Sequence, residues 1–408
     1  MSTHPHPRVL ALADDLSGAA ETAACLHSPA HTARIELVRT PDQLTAQNAH
    51  SVLVMDLDSR AMPSAAATHL TRTALQNHAS RYPQVFFKID SLLRGNTGTT
   101  VRNACTRPVV VAPALPAAGR TVVDGVLHVH EVPLHETGAW QAEHTNPPAT
   151  VAELFHPLPC RSIPLETVRS GRLSTELAAC AETGDIPICD SRTDSDLDEI
   201  VAAANLSGAR LIGAGGLAAA LGRSLHLPES PSAPASNTDH QLLVVVGTAD
   251  PGATDQVRTL AASGVRTVTC DAGELIDRGP RDADLARILT ALERGPAALT
   301  IDAPEQVGAA RARNLVQGLA TTVARAVERT HRPVDLVLTG GETARRALDA
   351  LAITSLTPMA QIHHGAVHSR TPSGTSVVTR PGSFGDTDSL IRIVEHLRPT
   401  DVNGRLNK

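Results

Sequence analysis

RVLALADDLSGAAETAACL, residues 8–26, passes from an apolar strand-like stretch through two aspartates into an Ala-rich helical stretch. The same order returns in SVLVMDLDSR (51–60) followed by PSAAATHLTRTALQNHA (63–79). Further short β-rich runs ending in polar or Gly residues stand at QVFFKID (84–90), RPVVVAPALP (107–116) and ARLIGAGG (209–216). Strand then helix, repeated, predicts an α/β layer architecture with a largely parallel sheet, because parallel neighbours need a crossover and a helix supplies it. The pattern breaks at LPESPSAPASNTDH (227–240), a Pro- and Ser-rich stretch without apolar periodicity, which reads as a linker. It restarts with QLLVVVGTADP (241–251), VRTVTCD (265–271), AALTIDAP (297–304), VDLVLTGGE (334–342) and TSVVTRPGSFG (375–385), with one long amphipathic helix over 305–330. A chain of 408 residues exceeds the size at which one core keeps growing. Two α/β domains are expected: 1–226, then the linker 227–240, then 241–400, with 401–408 as a tail. No internal repeat of short fixed period is visible.

Composition narrows the function classes. The net charge is −6, with both signs scattered and no basic stripe for a nucleic-acid backbone, so nucleic acid is not an expected partner. Cys25, Cys105, Cys160, Cys180, Cys189 and Cys270 have no C-x-x-C spacing, which fits free thiols better than a disulfide framework or a zinc site. No run approaches the ~18 apolar residues of a membrane span, and the start MSTHPHPRVL lacks the apolar region of a signal peptide; a cytoplasmic protein without a membrane partner is expected. With Trp 1, Tyr 1 and Phe 4, stacking has little material, and binding must rely on hydrogen bonds and charge.

In open α/β sheets ligands sit outside the carboxyl ends of the strands, so strand-terminal residues carry the most weight. The first half supplies Asp14, Asp15, Asp58, Arg60, Lys88, Asp90, Ser91 and Arg94, the last four within FKIDSLLRGNTG (87–98). Cations grip a carboxylate and short polar groups meet hydroxyls, so this set suits a small polyhydroxy acid. The second half supplies Gly247-Thr248, Thr339-Gly340-Gly341-Glu342-Thr343 and the Gly-rich run from Pro381-Gly382 to Asp386. Two of these turns precede plausible helices, 342–351 and 387–397, whose free N–H groups favour phosphate, so a nucleotide site is the simplest chemical reading. Blander roles compete: Asp14-Asp15 also suits a helix cap, Lys88 to Arg94 a solvated turn with a surface ion pair, and Gly340-Gly341 a tight turn. Gly213 to Ala218 looks like a truncated dinucleotide fingerprint, but the Pro-rich linker follows where a second strand and an acidic residue are required. It reads as close strand–helix packing. His128, His130, His135 and His363-His364 lack a completing ligand spacing, and no metal site is assigned to protein residues.

Taken together, ALADDLSGAAETA (11–23), DLDSR (56–60), KIDSLLRGNTG (88–98), PALPAAGRTVVDGVLHVHEVPLHET (113–137), LIGAGGLA (211–218), VVVGTADP (244–251), LVLTGGETARRAL (336–348) and VVTRPGSFGDTDSL (377–390) resemble, in order, the four-carbon acid sugar kinases, or tetronate kinases. The resemblance implies an ATP-dependent kinase that phosphorylates the 4-hydroxyl of threonate, erythronate or 3-oxo-tetronate, with ATP and Mg²⁺ required. It places the acid on Asp15, Arg60, Lys88, Ile89, Asp90, Ser91 and Arg94 in the N-terminal domain. It places ATP on Thr248, Gly340, Gly341, Glu342, Thr343 and Gly382 in the C-terminal domain, the two ligands meeting in the interdomain cleft. Arg60, Lys88 or Arg94 would hold the carboxylate, and Asp15 or Asp90 would orient or deprotonate the attacking hydroxyl. Homo-oligomerisation is left open. Arg380 stands where the family pattern has Lys, Thr248 where it has Ser, and the stretch after Glu136-Thr137 lacks an expected Asp-Pro step. The alternatives are a non-catalytic sugar-acid sensor and an NAD-dependent sugar-acid dehydrogenase using Gly213 to Ala218.

Overall fold

The computed structural model describes residues 8–28, 31–45, 50–104, 108–141, 143, 145–225, 239–248, 250–302, 309–382 and 384–399. The chain divides into two compact units, Met1–Ser230 and Pro231–Lys408. Most of the expected linker (227–238), the tail 401–408, the first residues of the 305–330 helix, Cys105 and Ser383 lie outside the described residues.

The first unit is built on eight strands: β1 (Val9–Ala13), β2 (Ala33–Leu37), β3 (Val52–Asp56), β4 (Gln84–Lys88), β5 (Val109–Ala112), and, after a separate antiparallel sheet of β6 (Arg120–Val123), β7 (Val126–Val129) and β8 (Val132–Pro133), β9 (Cys160–Ile163), β10 (Ile186–Cys189) and β11 (Arg210–Gly213). Their order is β2-β3-β1-β4-β11-β5-β10-β9, every pairing parallel. Strands β1 and β3 are buried throughout and apolar except for the terminal Asp56 of β3, because helices cover both faces of a parallel sheet. The chain winds from β1 to β2 and β3 on one side and then crosses to β4 on the other. That reversal is a topological switch point, where carboxyl-end loops diverge and leave a crevice. The helix Leu16–Leu26 starts there, with Asp15 as its N-cap.

The second unit runs β12 (Gln241–Val246), β13 (Arg266–Asp271), β14 (Ala297–Asp302), β15 (Val334–Thr339), β16 (Ser355–His363), β17 (Ala366–Arg370) and β18 (Ser376–Arg380). The order is β13-β14-β12-β15-β18-β17-β16. The pairings are parallel from β13 to β18 and antiparallel for the β16–β17 and β17–β18 pairs. Its core packs Leu242, Val244, Val337 and Val378 against Leu390, Ile393 and Leu397 of the last helix, Ser389–Leu397. A second switch point lies between β12 and β15, whose ends carry Gly247-Thr248 and the Gly340 turn. The expected α/β class with largely parallel sheets is borne out. The hairpin β16–β17 and the small sheet β6–β8 are additions that the strand–helix rhythm does not announce. The free thiols among the described residues are Cys25, Cys160, Cys180, Cys189 and Cys270.

Candidate functional site

In the first unit the ends of β1, β3 and β4 bring three cations against four carboxylates. Arg60 donates from Nε to Asp14 Oδ2 at 2.9 Å and from Nη2 to Asp14 Oδ1 at 2.8 Å, and pairs with Asp15 Oδ1 at 2.9 Å. Asp15 Oδ1 also accepts from the Gly18 amide at 3.0 Å, capping the helix. Lys88, 6% exposed, donates to the Ile89 carbonyl at 3.2 Å and faces Glu21 Oε2 at 3.4 Å. Gly18 makes room for this: a Cβ there would stand 2.7 Å from Asp15 Oδ1 and 2.8 Å from Lys88 Nζ. Arg94 forks onto Asp90, Nε to Oδ2 at 2.5 Å and Nη2 to Oδ1 at 3.2 Å. The turn that presents them has Leu93 at φ 62° and Gly95 at φ 89°, the left-handed conformation that glycine adopts freely and leucine resists. Asp58, at φ 48°, turns the chain beyond β3 and donates its amide to Asp56 Oδ1 at 3.1 Å.

The environment splits the acids. Burial pushes Asp90 up, but Arg60, Arg94 and Lys88 outweigh it and hold its carboxyl well below the usual range. Burial dominates at Asp14, which is raised despite Arg60. The neighbouring carboxylates raise Arg60 further, against the effect of its own burial. A small recess beside these groups is lined by Asp14, Ser59, Lys88, Ile89, Asn96 and Thr97 among others.

Two residues that strand-end reasoning passed over also reach this turn. Arg120, on β6, donates from Nη1 to Ser91 Oγ, and Trp140 Nε1 donates to the Leu92 carbonyl at 2.8 Å. Trp140 belongs to the stretch after Glu136-Thr137 that departs from the family pattern. Its hydrogen bond places Trp140 against the Lys88 to Arg94 turn.

In the second unit, Gly340 at φ 96° is the N-cap of the helix Gly341–Ala350, and its amide donates to the Arg380 carbonyl at 2.9 Å. Thr343, 2% exposed, hydrogen-bonds through Oγ1 to the Gly247 carbonyl at 3.4 Å, and a side chain at Gly247 would collide with it. A Cβ on Gly382 would lie 2.7 Å from Thr248 Oγ1. Thr248, the Gly340 to Thr343 turn with Glu342 in the first helical turn, and Gly382 therefore gather at the ends of β12, β15 and β18. The arrangement is a backbone cradle with free amides at a helix start, suited to an anion.

Residues 9–221 match a family described as a sugar-binding N-terminal domain, and residues 243–390 one described as a nucleotide-binding C-terminal domain. A D-threonate kinase of Cupriavidus necator is 31% identical over 93% of this chain and 96% of its own. The chain belongs to the four-carbon acid sugar kinase family. A D-threonate kinase of Bordetella bronchiseptica is 29% identical over 96% of this chain and 98% of its own. A Salmonella typhimurium structure described as a putative tRNA synthase superposes with a TM-score of 0.77 at 22% identity, covering 95% of this chain and 98% of that one, and shares the fold. This member of the family is thus a sugar-acid kinase, a phosphotransferase that uses ATP and acts on a hydroxyl. Its Gly213 and Gly216 are packing residues: a Cβ would lie 2.5 Å from the Ala112 carbonyl at one and 2.6 Å from the Ala114 carbonyl at the other. Among the described residues no helix of the kinase is long and apolar enough to cross a membrane.

Proposed function

We propose that this kinase transfers the γ-phosphoryl group of ATP to the 4-hydroxyl of a four-carbon sugar acid: threonate, erythronate or 3-oxo-tetronate. The observation that carries the reading is the convergence of Arg60, Lys88 and Arg94, each held by a carboxylate, on one switch point of the sugar-binding domain. The relatives named as D-threonate kinases support the four-carbon acid. Among the three cations Arg94 has the most exposed side chain, 32% against 27% for Arg60 and 6% for Lys88, and in this reading it receives the substrate carboxylate. Lys88, Ile89 and Ser91 frame the hydroxyls, and Arg60 fixes the Asp14-Asp15 step.

Asp15 is the better base. Asp90 is forked by Arg94 and held low, so it remains a hydrogen-bond acceptor with little tendency to take a proton. Asp15 commits Oδ1 to Gly18 and Arg60, and its other oxygen orients the 4-hydroxyl and accepts its proton as the new O–P bond forms. Phosphoryl transfer depends on in-line positioning and charge neutralisation more than on covalent chemistry. In the nucleotide-binding domain Thr248, Gly340, Gly341, Glu342, Thr343 and Gly382 hold the phosphates. No group of three or more His, Cys, Asp or Glu able to hold a metal occurs among the described residues. Glu342, in the first turn of the helix Gly341–Ala350, is the carboxylate that would hold Mg²⁺ arriving with ATP. When bound, Mg²⁺ offsets the charge of the phosphate chain. The test is ADP release from Mg²⁺-ATP with a panel of four-carbon acids. Turnover on longer aldonates alone would remove the four-carbon assignment.

A further inference from the structure

Arg380 is fully buried and heads the largest such side chains. Its Nη1 donates to Ser389 Oγ at 2.6 Å and its Nη2 to the Gly382 carbonyl at 3.3 Å, while Nε has no partner. Asp250 is the carboxylate that acts on it, and it does so without forming an ion pair; its Oδ1 accepts from the Gly252 amide at 2.9 Å. Three further polar side chains stand nearby, and Arg392 acts with Arg380 on one of them, His363. His363 Nε2 lies 2.9 Å from Ser389 Oγ, Gln256 donates to the Gly385 carbonyl at 2.8 Å, and Thr339, the register partner of Arg380 on β15, has a buried Oγ1 with no partner. Burial pulls the guanidinium down to about 10. A buried cation with no ion-paired counter-charge is unfavourable, and strongly perturbed groups of this kind cluster at functional sites. This cation lies against Gly382, and its own carbonyl accepts from Gly340, so its strand end joins both glycine turns of the cradle.

We propose that Arg380 is a positioning residue for the nucleotide, a buried positive charge that aligns Gly382 and favours the phosphate chain of ATP over an uncharged nucleoside. The inference rests on reading Thr248, Gly340 to Thr343 and Gly382 as the nucleotide site. The charge is what matters in it, because the hydrogen bonds to Ser389 and Gly382 alone need only a polar group.

The experiment compares ATP and adenosine affinities, by calorimetry and by thermal shift, for the full chain and three variants. Arg380→Met lowers the ATP-over-adenosine ratio on the order of tenfold or more, and Arg380→Lys retains most of it. Ser389→Asp supplies an internal counter-charge in place of Ser389 Oγ, which now lies 2.6 Å from Arg380 Nη1. It raises the melting temperature of the nucleotide-free protein and weakens ATP while leaving adenosine unchanged. A merely structural Arg380 would weaken both ligands alike in Arg380→Met, and Ser389→Asp would leave the ratio intact; either result overturns the proposal. If Arg380→Met fails to fold, Ser389→Asp decides alone. If the unmodified protein binds neither ligand, the nucleotide-site reading itself falls.

Discussion

Asp15 combines two duties in one carboxylate, capping a helix and pairing with Arg60. The Asp15→Asn variant keeps an oxygen for the Gly18 amide, so the fold persists. Turnover should fall by roughly 10²- to 10⁴-fold, the usual worth of a general base, with the KM for ATP little changed; steady-state kinetics checks both. Arg94→Met removes the proposed carboxylate grip and should raise the KM for the acid by roughly ten- to a hundredfold, the scale of a charge-assisted hydrogen bond. An unchanged KM would move that role to Arg60 or Lys88. Much of this constellation is legible in the sequence, because FKIDSLLRGNTG concentrates charge at the end of an apolar run. Arg120 and Trp140 are not, because they sit on the small sheet and its following turns, outside the strand-end rule, and their hydrogen bonds to Ser91 and Leu92 depend on chain reversal far along the sequence. The burial of Arg380 is equally hidden, since an arginine at a strand end reads as a solvent-facing charge.

Among the elements, the parallel strands announce themselves by composition. VLALA is buried on both faces and apolar throughout, and VLVMD is equally buried and apolar up to its terminal Asp56. β2, ARIEL, alternates buried and half-buried positions, β9 and β10 have four residues each, and β16 carries His and Gln among its apolar residues; such strands take their place from tertiary pairing, which a local pattern does not encode. The last helix brings a pH dependence to the second unit. His368 Nδ1 lies 3.1 Å from His396 Nε2, and His368 Nε2 lies 3.0 Å from Ser376 Oγ. Burial, with His396 and Arg370 beside it, pulls His368 down to about 4, and burial lowers His396 too. Because the unfolded chain binds protons here more readily than the folded one, this contribution is fully present above about pH 6.5 and is lost as pH falls toward 4. His368→Gln should flatten the decline in melting temperature between pH 6.5 and 4.5 in a thermal-shift series. A decline as steep as in the unmodified protein would place its origin elsewhere.

For the whole molecule, the division of labour is chemical. One unit gathers ion-paired charges suited to a small acid, and the other gathers glycine turns and hydroxyls suited to phosphate. Each ligand should therefore stabilise the protein independently. At a hundredfold excess over its Kd, a ligand that binds the folded state alone contributes about 2.7 kcal/mol. Gly382→Val, which would press on Thr248, should abolish the thermal shift with ATP and preserve the shift with the acid; loss of both would contradict separate sites. The central claim, phosphorylation of a four-carbon acid at its 4-hydroxyl, is tested most directly by coupled ADP release from Mg²⁺-ATP across D- and L-threonate, D- and L-erythronate, their 3-oxo and 2-oxo forms and longer aldonates, with the product's phosphate located by phosphorus–carbon coupling in NMR. The account predicts robust turnover on a four-carbon acid with phosphate on the C4 oxygen. No ADP release from any four-carbon acid, or phosphate on another position, would contradict it.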